Sequence, residues 1–144
     1  MNQPPVTLRL DPRRLKQLKA LGQAMNLSSA GVIAKMIRDQ IAAGVIPADI
    51  PGIAIERLGD EMSISIDGSE ETRFSLEGSR ALADTIHGVI DGRQAPTIIN
   101  MDHKFGVAKQ GTGFKVMLPF GREEFSFPAD LARDFADLIE KAAA

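Results

Sequence analysis

The 144 residues are 44% hydrophobic and 25% charged, a balance that suits a folded protein of one domain or two small ones and excludes a mainly disordered chain. Cysteine is absent and histidine occurs only at His87 and His103, which removes disulfides, thiolate metal sites, cysteine nucleophiles and most histidine-based metal chemistry. The net charge of −2 conceals an asymmetry: residues 1–47 carry seven bases (Arg9, Arg13, Arg14, Lys16, Lys19, Lys35, Arg38) against two acids (Asp11, Asp39), while the remainder carries ten bases against seventeen acids. A basic head on an acidic body is the pattern of a polyanion-binding module joined to something else.

No apolar run approaches the roughly 20 residues of a membrane helix, and Met1-Asn-Gln-Pro-Pro5 lacks a basic segment followed by an apolar stretch. A cytoplasmic protein with no membrane partner is therefore expected.

From Val6 to Leu10 the residues alternate, with Val6, Leu8 and Leu10 on one face and Thr7 and Arg9 on the other, the pattern of a short strand with a polar display face. Asp11 is placed to cap a helix that opens on Pro12 and runs to about Met25, with Leu15, Leu18, Leu21 and Met25 as its apolar stripe. Asn26 suits a left-handed C-terminal position. Ser28 suits the cap of a second helix whose apolar positions are Val32, Ile33, Met36, Ile37 and Ile41, ended by Gly44 and Pro47.

A lone five-residue strand cannot form a sheet, and about 40 residues cannot bury an adequate core. Pairing the strand with its copy from a second chain, helices interlocked beneath, solves both problems. The product is an antiparallel two-stranded ribbon, of a width that enters the major groove of B-DNA.

The residues Val6-Thr-Leu-Arg-Leu-Asp-Pro, Leu15-Lys-Gln-Leu18, Met25-Asn-Leu-Ser28-Ser and Val32-Ile33 with Met36-Ile37 resemble the ribbon-helix-helix repressors of the MetJ, Arc and CopG type. The resemblance covers residues 5–44, under a third of the chain. It implies that Thr7 and Arg9, together with Pro5, face base edges. It also implies that Ser28 and Ser29 offer backbone N–H groups to a phosphate. Arg13 and Arg14 are further phosphate candidates, within a cluster that includes Lys16 and Lys19. Val6, Leu8, Leu10, Leu18, Leu21, Val32, Ile33, Met36 and Ile37 would form the dimer core. Two residues depart from the pattern: Pro5 has neither a backbone donor nor a polar side chain, and Ala30 stands where relatives often carry a polar residue.

Residues 48–52, between Pro47 and Pro51, read as a stiff linker. Beyond it, residues 53–92 and 97–142 read as two copies of a unit of three short antiparallel strands and a helix. Gly59 matches Gly111, Met62/Ile64/Ile66 match Phe114/Val116/Leu118, and Phe74-Ser-Leu matches Phe125-Ser-Phe. Turns are expected at Gly59-Asp60, Asp67-Gly68 and Gly121-Arg122. The helices carry Leu82, Ile86, Val89 and Ile90 in the first copy and Leu131, Phe135, Leu138 and Ile139 in the second. Thr97-Ile-Ile-Asn-Met101 is expected to extend the second copy's first strand. The fold class is α+β, a ribbon-helix-helix module followed by a duplicated βββα domain in residues 53–144.

No nucleophile elbow, phosphate loop or zinc-protease motif is present. Asp102-His103 are sequence neighbours with side chains on opposite faces, Glu70-Glu71 and Glu123-Glu124 read as solvated turn residues, and His87 reads as a partly buried, hydrogen-bonded histidine. No catalytic residue, metal or cofactor is assigned, and an enzyme is not expected. The expected function is sequence-specific binding of double-stranded DNA by a homodimer, as a repressor on a palindromic or repeated operator. The carboxy-terminal domain would serve regulation, or assembly into a higher oligomer through its exposed strand edges. The alternative is an antitoxin or a plasmid or phage accessory factor whose carboxy-terminal domain binds another protein, with DNA binding for autoregulation. A small-molecule sensor is a third reading, for which no residue names a ligand.

Overall fold

A computed structural model describes residues 6–144. The protein is α+β, and the described residues form four helices and two antiparallel sheets of three and four strands. They divide into two compact units with the boundary between Ala48 and Asp49.

The amino-terminal unit holds α1 (Pro12–Met25) and α2 (Ser29–Ala42). Val6–Leu10, expected as a strand, belong to neither helix nor strand in the single chain, and Val6, Leu8 and Leu10 are exposed. A strand needs a hydrogen-bonded neighbour, and the described residues of one chain supply none. Of the residues expected in a dimer core, Val32 is buried and Leu18 half-buried, whereas Leu21, Ile33, Met36 and Ile37 are exposed in one chain.

In the carboxy-terminal unit, β1 (Ile53–Leu58), β2 (Glu61–Ile66) and β3 (Thr72–Ser75) form one sheet and lead into α3 (Leu76–Ile90). The second sheet is β4 (Thr97–Asn100), β5 (Phe105–Gln110), β6 (Gly113–Met117) and β7 (Glu124–Pro128), followed by α4 (Ala129–Ala143). Asp67 and Gly68 take the positive φ angles of 52° and 75° that a tight hairpin turn requires. Residues read from the sequence as linker are tied to this unit: Ile50 packs on its core, and the Gly52 carbonyl accepts the Asp67 N–H at 2.7 Å.

Two expectations are corrected here. Thr97–Asn100 do not lengthen the next strand but fold back on it, with Thr97 opposite Ala108 and Asn100 opposite Phe105. The reversal runs through Met101–Lys104, where Lys104 takes a φ of 58°, a left-handed turn without glycine. The phenylalanine correspondence also shifts by two residues. Phe74 lies opposite Met62, and the residue opposite Phe114 is Phe127, so Phe127 rather than Phe125 holds the place of Phe74.

One continuous core joins both sheets. α3 packs on β2 and β3 and also on β4 and β5, while α4 packs on β6 and β7 and also on β1, and the two helices lie against each other. Leu82, Ala83 and Ile86 of α3 and Phe135, Ala136 and Ile139 of α4 are all buried. Phe74 and Phe105, from different sheets, meet edge to face with centroids 6.4 Å apart. Neither sheet with its own helix could be lifted away without exposing this core.

Candidate nucleic-acid interface

The amino-terminal unit is built by three local devices. The Asp11 carboxylate accepts the Arg13 N–H at 2.8 Å and caps α1, whose first residue, Pro12, has no N–H to satisfy. At the other end Asn26 sits in the left-handed region at φ 57°. There the Leu27 N–H donates to the Gly22 carbonyl at 2.8 Å and the Asn26 N–H to the Gln23 carbonyl at 3.4 Å, the paired bonds of a Schellman motif. Ser28 Oγ then accepts the Gly31 N–H at 3.0 Å and starts α2.

These caps bring the start of α2 against the end of α1. An open cleft of about 550 Å³ lies at the turn, bordered by Lys19, Gln23, Asn26, Leu27, Ser28 and Ser29. The first N–H groups of a helix have no intrahelical acceptor, so Ser29 and Ala30 present theirs at this end, where the helix dipole is positive. The Lys19 side chain adds a full positive charge to the same cleft. An oxyanion placed there would meet backbone donors, two hydroxyls and an ammonium.

The sequence-assigned residues fall into separate groups. Ser28 and Ser29 share the cleft. Thr7 and Arg9 are exposed, and Pro5 lies outside the described residues. Arg13 folds back on Asp11 at 3.4 Å, and Arg14 donates to Gln17 at 2.9 Å, so each has a neighbour on its own helix end. Lys19 is the cation brought to the α2 start. Its signal in the sequence was its place three residues before Gly22, within the last two turns of α1.

Elsewhere the charged candidates are absorbed by structure. His87 Nε2 lies 3.1 Å from Asp137 Oδ1 and 3.7 Å from Glu140 Oε2, joining α3 to α4. The His103 N–H donates to Asn100 Oδ1 at 2.9 Å, and its ring closes over Gly78, where a Cβ would stand 2.8 Å from Nδ1. Glu70 and Glu71 border a cavity of about 140 Å³ with Pro119, Arg122 and Glu123. Glu70 pairs there with Arg122 at 3.1 Å. The Ser63 hydroxyl, followed by Arg73, holds the Glu71 carboxyl below the ordinary carboxylate range. The Arg133 hydrogen bond does the same for Asp91, against a smaller opposing effect of burial. Among the described residues no group of three or more acidic or histidine side chains could hold a metal ion, and no helix is long and apolar enough to cross a membrane.

Comparison of the chain with protein-family models, with curated proteins and with solved structures finds no match.

Proposed function

We propose that the amino-terminal unit is a ribbon-helix-helix module and that the protein is a dimeric, sequence-specific DNA-binding repressor. The observation that carries this reading is the apolar surface the unit leaves open. Leu8 is 72% exposed and Met36 56% exposed, and Val6, Leu10, Leu21, Ile33 and Ile37 join them, while among the described residues of the unit the buried apolar side chains are Val32 and Ala34. So small a core does not hold some 40 residues folded in water. A second copy covers the same residues with the same residues, as twofold pairing requires.

In that dimer Val6–Leu10 of the two chains pair as an antiparallel ribbon, Val6, Leu8 and Leu10 face the helices, and Thr7 and Arg9 face outward. Arg9 can donate two hydrogen bonds to guanine O6 and N7, and Thr7 can read a polar base edge or a thymine methyl. The cleft of Lys19, Ser28 and Ser29 takes a backbone phosphate, which sets the register of the ribbon in the groove.

The carboxy-terminal unit is read as a duplication. Gly59 and Gly111 lie 52 residues apart, as do Ile64 and Val116, and Leu82 and Phe135 lie 53 apart, as do Ile86 and Ile139. Both members of each of these last three pairs are buried. β4 is then an addition before the second copy.

The test is selection of bound duplex from a random pool, followed by gel-shift titration of the enriched sequence. Arg9→Ala is expected to weaken the selected site by roughly 10- to 100-fold, about 1–3 kcal/mol, with folding unchanged. Affinity should fall steeply with added salt, because each phosphate contact releases counterions. Unchanged affinity in Arg9→Ala, or a salt slope near zero, removes the proposal.

A further inference from the structure

We infer that β4 is a second self-association surface, on which two copies of the chain join their four-stranded sheets edge to edge. The sheets end in four edge strands, β1, β3, β4 and β7. Three of them carry the residues that discourage pairing: Glu56 and Arg57 in β1, Arg73 in β3, Glu124 and Pro128 in β7. β4, Thr97-Ile-Ile-Asn100, has neither charge nor proline. Its Ile99 is exposed, and so is the adjoining Met101.

The backbone register fixes which groups face the open edge. The Lys109 N–H donates to the Pro96 carbonyl at 2.7 Å, which makes that opposed pair a hydrogen-bonded one. Hydrogen-bonded and non-hydrogen-bonded pairs alternate along an antiparallel ladder. Ile98 opposite Val107 and Asn100 opposite Phe105 are therefore hydrogen-bonded to β5, and Thr97 and Ile99 turn their N–H and C=O groups outward.

That arrangement fits its own copy. Residues directly opposed across a ladder share a face. A twofold axis beside Ile98 sets Ile98 against Ile98 and Thr97 against Ile99 of the other copy, each side chain on its proper face. Thr97 and Ile99 of the two chains then exchange four hydrogen bonds. Pairing β4 with any other edge of a second copy would bring Ile98 and Ile99 up to a charged strand. The β4–β4 contact also closes on itself, giving one eight-stranded sheet from two chains rather than a growing fibre. It is independent of the ribbon: the two interfaces use different units of the chain.

Because the chain has no cysteine, single substitutions report on this contact alone. In full-length protein carrying Ile98→Cys, the non-hydrogen-bonded pair places the two Cα atoms about 4.5 Å apart, within disulfide range, and mild oxidation should give a covalent pair of chains. Ile98 also packs on the core, so an equimolar mixture of Thr97→Cys and Ile99→Cys chains, both exposed positions, provides a second readout and should give the mixed disulfide. Ile99→Lys should halve the mass of the assembly in sedimentation at tens of micromolar, whatever the ribbon does. Failure of both cross-links, or an unchanged mass in Ile99→Lys, overturns the inference and leaves the edge to a different occupant.

Discussion

The Leu27 carbonyl oxygen occupies the space a side chain on Gly22 would need: a Cβ at Gly22 would stand 2.5 Å from it. The same pair is tied by the Leu27 N–H on the Gly22 carbonyl at 2.8 Å. The turn between α1 and α2 thus depends on one missing methyl group, and the neighbour that would have to yield is backbone.

Gly22→Ala sets two effects against each other. Alanine favours the helix by about 1 kcal/mol, while forcing the turn apart costs about 1–3 kcal/mol. The clash is with backbone held on both sides, by the Leu27 N–H on the Gly22 carbonyl and by the Ser28 cap of α2, so the cost is expected to win and the amino-terminal unit to lose up to about 2 kcal/mol. Denaturant titration followed by far-ultraviolet circular dichroism reads the change. A stabilised Gly22→Ala protein would mean that the turn opens freely.

The second cap gives a finer measurement. Ser28 Oγ takes the Gly31 N–H, and Ser28→Ala should cost about 1 kcal/mol, whereas Ser28→Gly should cost only a few tenths more than serine itself. If the cleft also holds a phosphate through backbone N–H groups, Ser28→Ala keeps most of its DNA affinity once folded, because its donors remain. A loss of affinity as large as that of Arg9→Ala would instead place the hydroxyl at a base edge.

These local features were legible from the chain. Asp11, Pro12, Asn26 and Ser28 act within three residues of themselves, and all sit where their chemistry placed them. The reversal after β4 was not legible, because Lys104 adopts its left-handed conformation without the glycine that marks turns elsewhere in the chain. Alternation along Thr72–Ser75 and Glu124–Pro128 could not tell Phe125 from Phe127, since both point inward and both are buried; only pairing with Phe114 decides. The sharing of each helix between two sheets involves contacts such as α4 on β1, some 75 residues apart, and periodicity holds no record of them.

Acid should weaken the carboxy-terminal unit through two groups. Glu71 is held below its ordinary pKa by the Ser63 hydroxyl and then by Arg73, and Asp91 chiefly by Arg133. A carboxylate whose folded pKa is depressed stabilises the fold above its unfolded pKa, and that stabilisation is lost as pH falls through the folded value. Stability should therefore be level above about pH 5 and decline below about pH 4. Glu71→Gln should flatten part of the decline, measured as the thermal midpoint against pH. An identical pH profile in Glu71→Gln and the parent would show that this carboxylate is not linked to folding.

Leu8→Asp separates the two ways of reading the amino-terminal unit. Leu8 is 72% exposed in the single chain, and if that were its working environment, the substitution would change stability by no more than about 0.5 kcal/mol. In a paired ribbon it would bury a carboxylate among apolar side chains at a twofold axis, twice per dimer, with no cation to meet it. The expected outcome is an intact carboxy-terminal unit, a halved assembly mass and no binding to the selected duplex. Combining Leu8→Asp with Ile99→Lys should then yield single chains, since each removes a different interface. Unchanged mass and DNA affinity in Leu8→Asp would show that the alternation from Val6 to Leu10 serves no partner strand.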